Sequence, residues 1–177
     1  CVVILKGWEE ILKAYARQFN ITKLKYVVEG GKSGQESIYN GLMAIREACT
    51  EDDVVLVHDG NRPMVSQDVI TDSLVKYAQY GSAVAAIPCT EVVFVSETGV
   101  ESEKSIPREV LWRTQTPHTY KLGELCQAHE EAKKRGLTNM AASCSLMEAL
   151  GKKVYFSKGS EKNLKITTVE DIDIFKA

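Results

Sequence analysis

The chain has 177 residues, which is enough for one domain with a substantial hydrophobic core. Its 44% hydrophobic and 26% charged residues are ordinary for a soluble globular protein, and no stretch approaches the roughly 20 apolar residues that a bilayer-spanning helix needs. The net charge of −2 excludes global attraction to nucleic acid or acidic membranes, so any anion site must be local. The five cysteines show neither CxxC nor zinc-ligand spacing, which favours a reduced, cytoplasmic setting.

The first half of the chain alternates predicted strands with predicted helices. Short, nearly continuous apolar runs predict strands at 1–5, 25–28, 54–57 and 82–87. Between them apolar residues recur at helical spacing, and Ser33 and Ser66 stand where N-caps are expected. The apolar face of the first helix comprises Trp8, Ile11, Leu12, Tyr15 and Phe19, and the predicted inner face of the third comprises Ile70, Leu74, Tyr77 and Ala78. This alternation predicts a doubly wound α/β fold with a mostly parallel sheet.

The alternation ends at Cys89. Residues 89–113 contain two apolar runs, at 92–95 and 110–112, separated by a turn and charged residues, which predicts a β-hairpin with polar tips. Two interpretations stand: an arm that packs against a partner chain or across the site, and a local hairpin on the same domain. Beyond it the patterns predict helices around 122–135, 146–150 and 169–175, and strands at 154–156 and 163–167.

The segment 57–63 carries the clearest chemical signal. An apolar strand runs directly into His58, Asp59 and Arg62, and ligands of α/β proteins bind at the carboxyl ends of strands. The Asp59 carboxylate can hold Mg²⁺, and the planar Arg62 guanidinium can form paired hydrogen bonds with phosphate oxygens. Taken alone, the segment is equally compatible with a surface turn capped by Asp59, with Pro63 starting a helix.

A glycine pair joins the second predicted strand to the second predicted helix. Gly30 and Gly31 permit close approach to the backbone, and the helix start at Lys32 and Ser33 attracts anions or polar base edges. The spacing matches neither a dinucleotide fingerprint nor a P-loop. An ordinary tight turn is therefore the simpler interpretation of this segment by itself.

Two later segments add cations. Residues 113–118 are predicted to form a loop that could hold a phosphate monoester, with His118 at the surface. Lys165 is predicted to lie on the strand face opposite Leu164 and Ile166, directed either to solvent or to the site. The sequence shows no recognisable nucleophile and no metal cage, and one acid with several cations fits phosphoryl or nucleotidyl transfer.

Four motifs occur in order along the chain. They are Gly30-Gly31 with Ser37-Ile38, then Val57-His58-Asp59 with Arg62-Pro63, then Thr114-Gln115-Thr116-Pro117, and finally Asn163-Leu164-Lys165-Ile166-Thr167 with Glu170-Asp171. Together they resemble the cytidylyltransferases that make CDP-methylerythritol in isoprenoid synthesis, and the relatives that make CDP-ribitol for teichoic acids and capsules. The likeness extends over nearly the whole chain.

The resemblance implies a Rossmann-like nucleotidyltransferase fold in a single domain over 1–177, mostly parallel sheet with helices on both faces. It implies a protruding β-arm at 89–113 through which a homodimer forms. It also implies Mg²⁺-dependent attack of a polyol phosphate, 2-C-methyl-D-erythritol 4-phosphate or ribitol 5-phosphate, on the α-phosphorus of CTP with release of pyrophosphate. Neither nucleic acid nor a membrane is an expected partner.

The resemblance further implies a role for each motif residue. Asp59 would bind the metal, Arg62 would orient the phosphate, and Lys165 would stabilise the charge on the α-phosphate. The residues implied at the CTP end are Gly30, Gly31, Lys32, Ser37 and the Gly60 backbone, and those implied at the acceptor phosphate are Arg108 and Thr116. Because Arg108 lies in the arm, it would be able to serve the partner's site.

Several positions differ from the family pattern. The family opens with a glycine-rich loop around the triphosphate, and this chain begins inside what resembles the next strand, so we expect that loop upstream. Gly34 replaces an Arg, and Gly60-Asn61 replaces two small apolar residues. Val92 replaces a Thr of the methylerythritol enzymes, and 141–145 replaces Thr-Asp-Asp-Ala-Ser. The last two changes leave the acceptor open between the two polyol phosphates.

Two hypotheses of other classes follow from the same sequence. A non-catalytic nucleotide-binding or assembly module would keep the fold and lose the chemistry, which would agree with Gly34 and with the glycine-rich loop not being seen. A dehydrogenase is the weaker alternative, because the chain contains no dinucleotide-binding fingerprint.

Overall fold

The computed structural model describes residues 1–176, and these contain six α-helices and eight β-strands. In chain order they are β1 Val2–Ile4, α1 Glu9–Gln18, β2 Val27–Glu29, α2 Gly34–Arg46, β3 Val54–Val57, α3 Gln67–Tyr80, β4 Ser82–Pro88, β5 Val93–Val95, β6 Lys104–Ile106, β7 Trp112–Lys121, α4 Leu122–Lys134, α5 Ser143–Ala149, β8 Phe156–Lys158 and α6 Val169–Lys176. The chain divides into two compact units, the first made of residues 1–57 and 120–154 and the second of the remainder. The α/β class is confirmed, while a single domain over 1–177 stays a prediction.

In the first unit β1 and β2 pair in parallel, with Val2 opposite Val27. Helix α2 packs on both strands and beside α4. It begins where the capping pattern predicts, because the Ser33 hydroxyl accepts a hydrogen bond from the Glu36 N–H at 3.2 Å. The core of this unit lies mainly on α4, whose Leu125 and Cys126 are fully buried.

Helix α1 forms at the predicted place, and its apolar face is exposed within this unit. Trp8, Ile11, Tyr15 and Phe19 are all exposed, and Ala16 is its buried residue. The rings of Tyr15 and Phe19 stack with their centroids 6.2 Å apart. Helical spacing therefore identified the helix correctly, whereas Leu12 and the rest of that face contribute little to the core described here.

In the second unit β7, β4 and β8 lie side by side in that order. Strands β4 and β8 are parallel, with Val84 opposite Phe156. Every residue of β4 from Ser82 to Ile87 is buried, as its continuous apolar run predicts for a central strand. Helix α3 packs on β4 and β8, begins at the predicted Ser66 cap, and ends at Gly81, whose φ of 80° favours glycine.

The predicted inner face of α3 is wrong. Val69 and Ser73 are buried, whereas Ile70 and Leu74 are 36% and 41% exposed. The buried Ser73 hydroxyl lies 2.6 Å from the Thr119 hydroxyl, so the two side chains satisfy each other inside the unit. The prediction used apolar residues alone and therefore chose the wrong side of the helix. It did not consider that Ser73 could be buried with its hydrogen bond made inside the unit.

The region after Cys89 contains the predicted hairpin, with different boundaries. Strands β5 and β6 are antiparallel, with Val93 opposite Ile106. Residues 110–112 are not its second strand, because a 3₁₀ turn at Arg108–Val110 intervenes and Trp112 begins β7. The hairpin itself is confirmed, and its role as a dimerisation arm stays a prediction.

Segment 113–118 is strand rather than loop, which corrects the prediction. The ten-residue strand β7 buries every residue from 115 to 120. His118 is 3% exposed and is not a surface histidine. Polar sequence misled the prediction here, because Gln115 and Thr116 are buried with hydrogen-bond partners.

The end of the chain follows the predictions only in part. The strand predicted at 154–156 lies at 156–158, and residues 163–167 do not form a strand. Helix α6 is confirmed over Val169–Lys176. In residues 1–176 no helix combines the length and apolarity needed to cross a bilayer.

Candidate active site

The loop after β3 and the irregular segment before α6 bring one acid and two cations together in the second unit. Asp59 Oδ2 lies 3.2 Å from Arg62 Nε and 3.2 Å from Lys165 Nζ. The Arg62 side chain is largely buried, and the Lys165 side chain is 45% exposed. Residues 59–62 do form a turn, in which the Arg62 N–H donates to the Asp59 carbonyl oxygen at 3.0 Å, and the Asp59 side chain in addition accepts from two cations on separate segments.

The electrostatic balance keeps the Asp59 carboxylate ionised. Burial raises its pKa, but the hydrogen bonds and charges of Lys165 and then of Arg62 outweigh this effect and hold the pKa below its ordinary value. The group therefore carries a negative charge at neutral pH. A metal ion or a bound phosphate would meet a preformed set of three charged groups.

Arg62 and the Lys165 segment are held by buried amides. Arg62 Nη1 donates to the Asn163 carbonyl oxygen at 2.7 Å, and the fully buried Asn163 side chain donates from Nδ2 to the Thr116 carbonyl oxygen at 2.8 Å. Gln115 and Ser160 exchange two further hydrogen bonds of 2.8 and 3.0 Å. Strand β7 thus fixes residues 160–163, which lead directly to Lys165.

Thr116 and His58 fix the backbone that carries Asp59. The Asp59 N–H donates to Thr116 Oγ1 at 3.0 Å, and the same oxygen lies 3.0 Å from His58 Nδ1. His58 Nε2 lies 3.0 Å from the Arg62 carbonyl oxygen, which can only accept, so Nε2 carries a hydrogen. In the neutral imidazole Thr116 then donates to Nδ1. Sequence reasoning assigned no role to His58, and its place beside Asp59 in the motif was the only signal.

The glycine segment 30–37 belongs to the first unit. The Gly31 N–H donates to Ser37 Oγ at 3.0 Å, and the Ser37 hydroxyl donates to the Ser33 carbonyl oxygen at 2.9 Å. The Lys32 N–H donates to Glu36 Oε2 at 2.7 Å. A Cβ on Gly31 would lie 2.3 Å from Glu36 Cγ, which explains why glycine stands there. The geometry is a tightly capped helix start.

Gly30, Gly60 and Arg108 complete the residues singled out from the sequence. A Cβ on Gly30 would lie 3.3 Å from Ser37 Oγ, while one on Gly60 would meet nothing within 4 Å. Arg108 is exposed and donates from Nη1 to the Thr90 carbonyl oxygen at 3.2 Å, with the Glu109 carboxylate 3.7 Å from its Nε. Gly60 and Arg108 lie in the second unit and Gly30 in the first.

An ionised acid that contacts two cations, directly after the half-buried strand β3, forms an arrangement suited to phosphate chemistry. Among residues 1–176 no group of three or more His, Cys, Asp or Glu could hold a metal by itself. The chemistry available is charge stabilisation and orientation of phosphate groups, with any metal shared with the substrate. Fold and site together define a nucleotidyltransferase.

Comparisons with known proteins identify the family. The IspD family, described as 2-C-methyl-D-erythritol 4-phosphate cytidylyltransferase, matches residues 3–177. A ribitol-5-phosphate cytidylyltransferase of Lacticaseibacillus paracasei is 40% identical over 99% of this chain and 76% of its own length. A 2-C-methyl-D-erythritol 4-phosphate cytidylyltransferase of Geotalea uraniireducens is 40% identical over 90% of this chain and 67% of its own length.

Solved structures of cytidylyltransferases have a similar fold. The crystal structure of the 2-C-methyl-D-erythritol 4-phosphate cytidylyltransferase of Thermus thermophilus superposes with a TM-score of 0.73 at 31% identity, covering 84% of this chain and 70% of that one. The corresponding synthase of Anaerococcus prevotii, at 23% identity, has the same fold, with a TM-score of 0.84 over 97% of this chain and 74% of its own. The chain belongs to the IspD family of cytidylyltransferases, which confirms the resemblance and the nucleotidyltransferase fold.

Proposed function

We propose that this cytidylyltransferase uses ribitol 5-phosphate as its acceptor and forms CDP-ribitol and pyrophosphate from CTP. The observation that supports a cytidylyl transfer is the Asp59, Arg62 and Lys165 cluster. Support for the acceptor comes from the ribitol-5-phosphate relative that matches 99% of the chain. In addition, Ser143 and Cys144 are buried in α5, where the methylerythritol pattern has Asp and Ala.

In this proposal each charged group acts on the phosphates. Lys165 neutralises charge that develops on the α-phosphate as the acceptor oxygen attacks, and Arg62 orients the same phosphate. Asp59 holds both cations in place through Oδ2 in the free protein. Because no covalent intermediate is needed, the gain in rate comes from positioning and charge neutralisation.

The Asp59 carboxylate fits Mg²⁺. The metal takes oxygen ligands and commonly uses one or two carboxylates together with substrate phosphates and water. Asp59 is ionised, and the shortest contacts of both cations are to Oδ2, so Oδ1 remains for a metal. When bound, Mg²⁺ would neutralise phosphate charge and assist the departure of pyrophosphate.

In the same proposal, further residues bind CTP and the acceptor phosphate. Gly30, Gly31, Lys32 and Ser37 would contact the cytosine end of CTP, with the Gly60 backbone nearby. Arg108 and Thr116 would bind the acceptor phosphate. The Thr116 hydroxyl already contacts the Asp59 N–H, so an acceptor phosphate there would share a hydroxyl that also orders the metal-binding loop.

The assembly and location belong to the proposal too. The 89–113 segment exposes Val92, Phe94 and Val110, and an exposed apolar hairpin is a suitable surface for a second copy of the chain. We propose a homodimer through this arm, in the cytoplasm, where the nucleotide and sugar phosphates are available.

The test is pyrophosphate release with CTP, MgCl₂ and one acceptor at a time. We expect turnover with ribitol 5-phosphate, with kcat/KM at least about tenfold above that for 2-C-methyl-D-erythritol 4-phosphate. A preference for the methylerythritol compound would overturn the acceptor assignment and leave the cytidylyl transfer intact. That second candidate is supported by the Geotalea relative and by the name of the matching family. If the protein bound Mg-CTP but released no pyrophosphate with either acceptor, it would be a non-catalytic nucleotide-binding module.

A further inference from the structure

The loop that carries Asp59 also holds the segment that carries Lys165. The Ile166 N–H donates to the Asn61 carbonyl oxygen at 2.8 Å, and the Asn61 side-chain amide donates to the Ile166 carbonyl oxygen, also at 2.8 Å. These two residues are 105 positions apart in the chain. One residue of the loop therefore satisfies both backbone groups of the residue that follows Lys165.

A second tie lies on the other side of Lys165. Arg62 donates to the Asn163 carbonyl oxygen at 2.7 Å, so the backbone is anchored both before and after the lysine. The Lys165 ammonium nevertheless stands on a flexible, half-exposed side chain, 3.2 Å from Asp59 Oδ2. Fixing the backbone at 163 and 166 limits the positions that the ammonium can reach and reduces the entropy lost when it is held in place.

We propose that Asn61 is a positioning residue for Lys165. Its side-chain amide locks the Lys165 segment onto the Asp59 loop, so that the ammonium remains beside the carboxylate and meets the α-phosphate without prior rearrangement. The inference rests on the cytidylyl transfer proposed above. A substitution of Asn61 leaves the hydrogen bond from the Ile166 N–H to the backbone carbonyl of residue 61 in place. It removes only the hydrogen bond that the Asn61 side chain donates to the Ile166 carbonyl oxygen.

The energetic signature of this role differs from that of a structural residue. Asn61 is exposed, so truncating it opens no cavity and breaks one exposed hydrogen bond. We expect Asn61→Ala to reduce kcat about threefold to tenfold, to change KM for CTP by less than about twofold, and to shift Tm by less than about 2 °C. Asn61→Asp, which cannot donate, should reduce kcat at least as much.

Two measurements test the proposal. The first is steady-state kinetics with CTP and the better acceptor. The second needs no turnover: limited acetylation followed by mass spectrometry compares modification of Lys165 with that of the exposed Lys153, which lies outside the proposed dimer arm. We expect acetylation of Lys165 to rise at least about twofold in Asn61→Ala, because an ammonium less firmly held by a carboxylate is more reactive.

The matched control is Asp72→Ala. Asp72 Oδ2 accepts from the Lys158 N–H at 2.6 Å, an exposed tie between distant segments of the same unit. It should leave kcat and the Lys165 labelling unchanged. Equal effects in both variants, or wild-type kcat and labelling in Asn61→Ala, would overturn the role of Asn61. If the wild-type protein turned over neither acceptor, the proposed function would fail and the labelling comparison would still decide the positioning role.

Discussion

At the scale of single residues, the site depends on the direction of each hydrogen bond. Asp59 accepts from two cations through its carboxylate and donates its backbone N–H to Thr116. The Thr116 hydroxyl has a single proton, and in the neutral state of His58 that proton goes to Nδ1. The backbone of Asp59 is therefore oriented by a small hydrogen-bond network in which Thr116 both accepts from the Asp59 N–H and donates to His58.

The first prediction concerns the charge of Asp59. Asp59→Asn should lower kcat by about 10²-fold or more, because an amide cannot hold Mg²⁺ and leaves Arg62 and Lys165 without their counter-charge. Pyrophosphate release measures kcat, and a thermal melt shows whether the variant still folds. Asp68→Asn is the matched control, since Asp68 pairs with Lys158 only at 3.9 Å on the surface. Near-normal turnover in Asp59→Asn would remove this residue from the mechanism.

The second prediction separates two roles of Thr116. Thr116→Val keeps the shape and leaves the Asp59 N–H and His58 Nδ1 without their partner, which should lower the free energy of unfolding by about 1–3 kcal/mol and lower kcat. Thr116→Ser should restore both, because it restores the hydroxyl. Chemical denaturation and acceptor titrations measure these effects. A rise in KM for ribitol 5-phosphate with unchanged stability would show instead that the hydroxyl serves only the acceptor.

At the scale of elements, strand β7 and the β5–β6 hairpin of the second unit differ in how well they are covered. Strand β7 buries polar side chains that tie it to residues 160–163, and it begins at Trp112, whose ring packs 5.4 Å from that of Phe156. The hairpin lacks such cover, since Phe94 is 59% exposed and Val92 is more so. An apolar, uncovered hairpin beside a well-packed strand is the pattern expected of an interface.

The third prediction tests this element as a dimer arm. Phe94→Asp places a charge on the exposed face of β5 and should shift the protein from dimer to monomer, because a desolvated charge in an interface is costly. Sedimentation velocity measures the change. Val75→Asp makes the same substitution at an exposed apolar position of α3 and should leave the assembly unchanged. A monomeric wild-type protein would contradict the proposed role of the hairpin as a dimer arm.

At the scale of the whole molecule, each unit buries a histidine that must stay neutral. His118 is 3% exposed and His129 is 5% exposed, and burial lowers the pKa of each to about 4. The His118 ring donates a hydrogen bond to the Gln115 backbone carbonyl oxygen, which raises its pKa by less than burial lowers it, while His129 Nε2 is buried without a partner and its ring lies against that of Tyr39, with centroids 5.7 Å apart. Both groups therefore oppose protonation of the folded state.

The fourth prediction is the resulting dependence of stability on pH. Between pH 6.5 and about pH 4 the unfolded chain binds protons on these histidines and the folded chain does not, so the free energy of unfolding falls as the pH falls. Each histidine contributes a loss of up to about 1.4 kcal/mol per pH unit in this window. Urea titrations at pH 7, 6 and 5 measure it. His118→Gln should flatten the dependence, and an unchanged slope in that variant would contradict the assignment.

Local sequence determined much of this protein. Continuous apolar runs located β1, β3 and β4, and serine caps located the starts of α2 and α3, because these signals depend on neighbouring residues alone. The order of the four motifs was enough to indicate the family. Asp59 and Arg62 could be placed at a strand end, since both follow β3 within a few residues.

Tertiary structure decided the rest. For Lys165 the sequence left both solvent, the commoner case, and the site open, and only the folded chain brings its ammonium within 3.2 Å of Asp59. The burial of Ser73, Thr119 and His118 also lay beyond local patterns, because a polar side chain is buried when a distant partner satisfies it, and that partner is not encoded in its own neighbourhood. The sequence by itself thus determined the family and the order of its motifs, and long-range hydrogen bonds and the Asp59–Lys165 ion pair decided which of the motif residues meet.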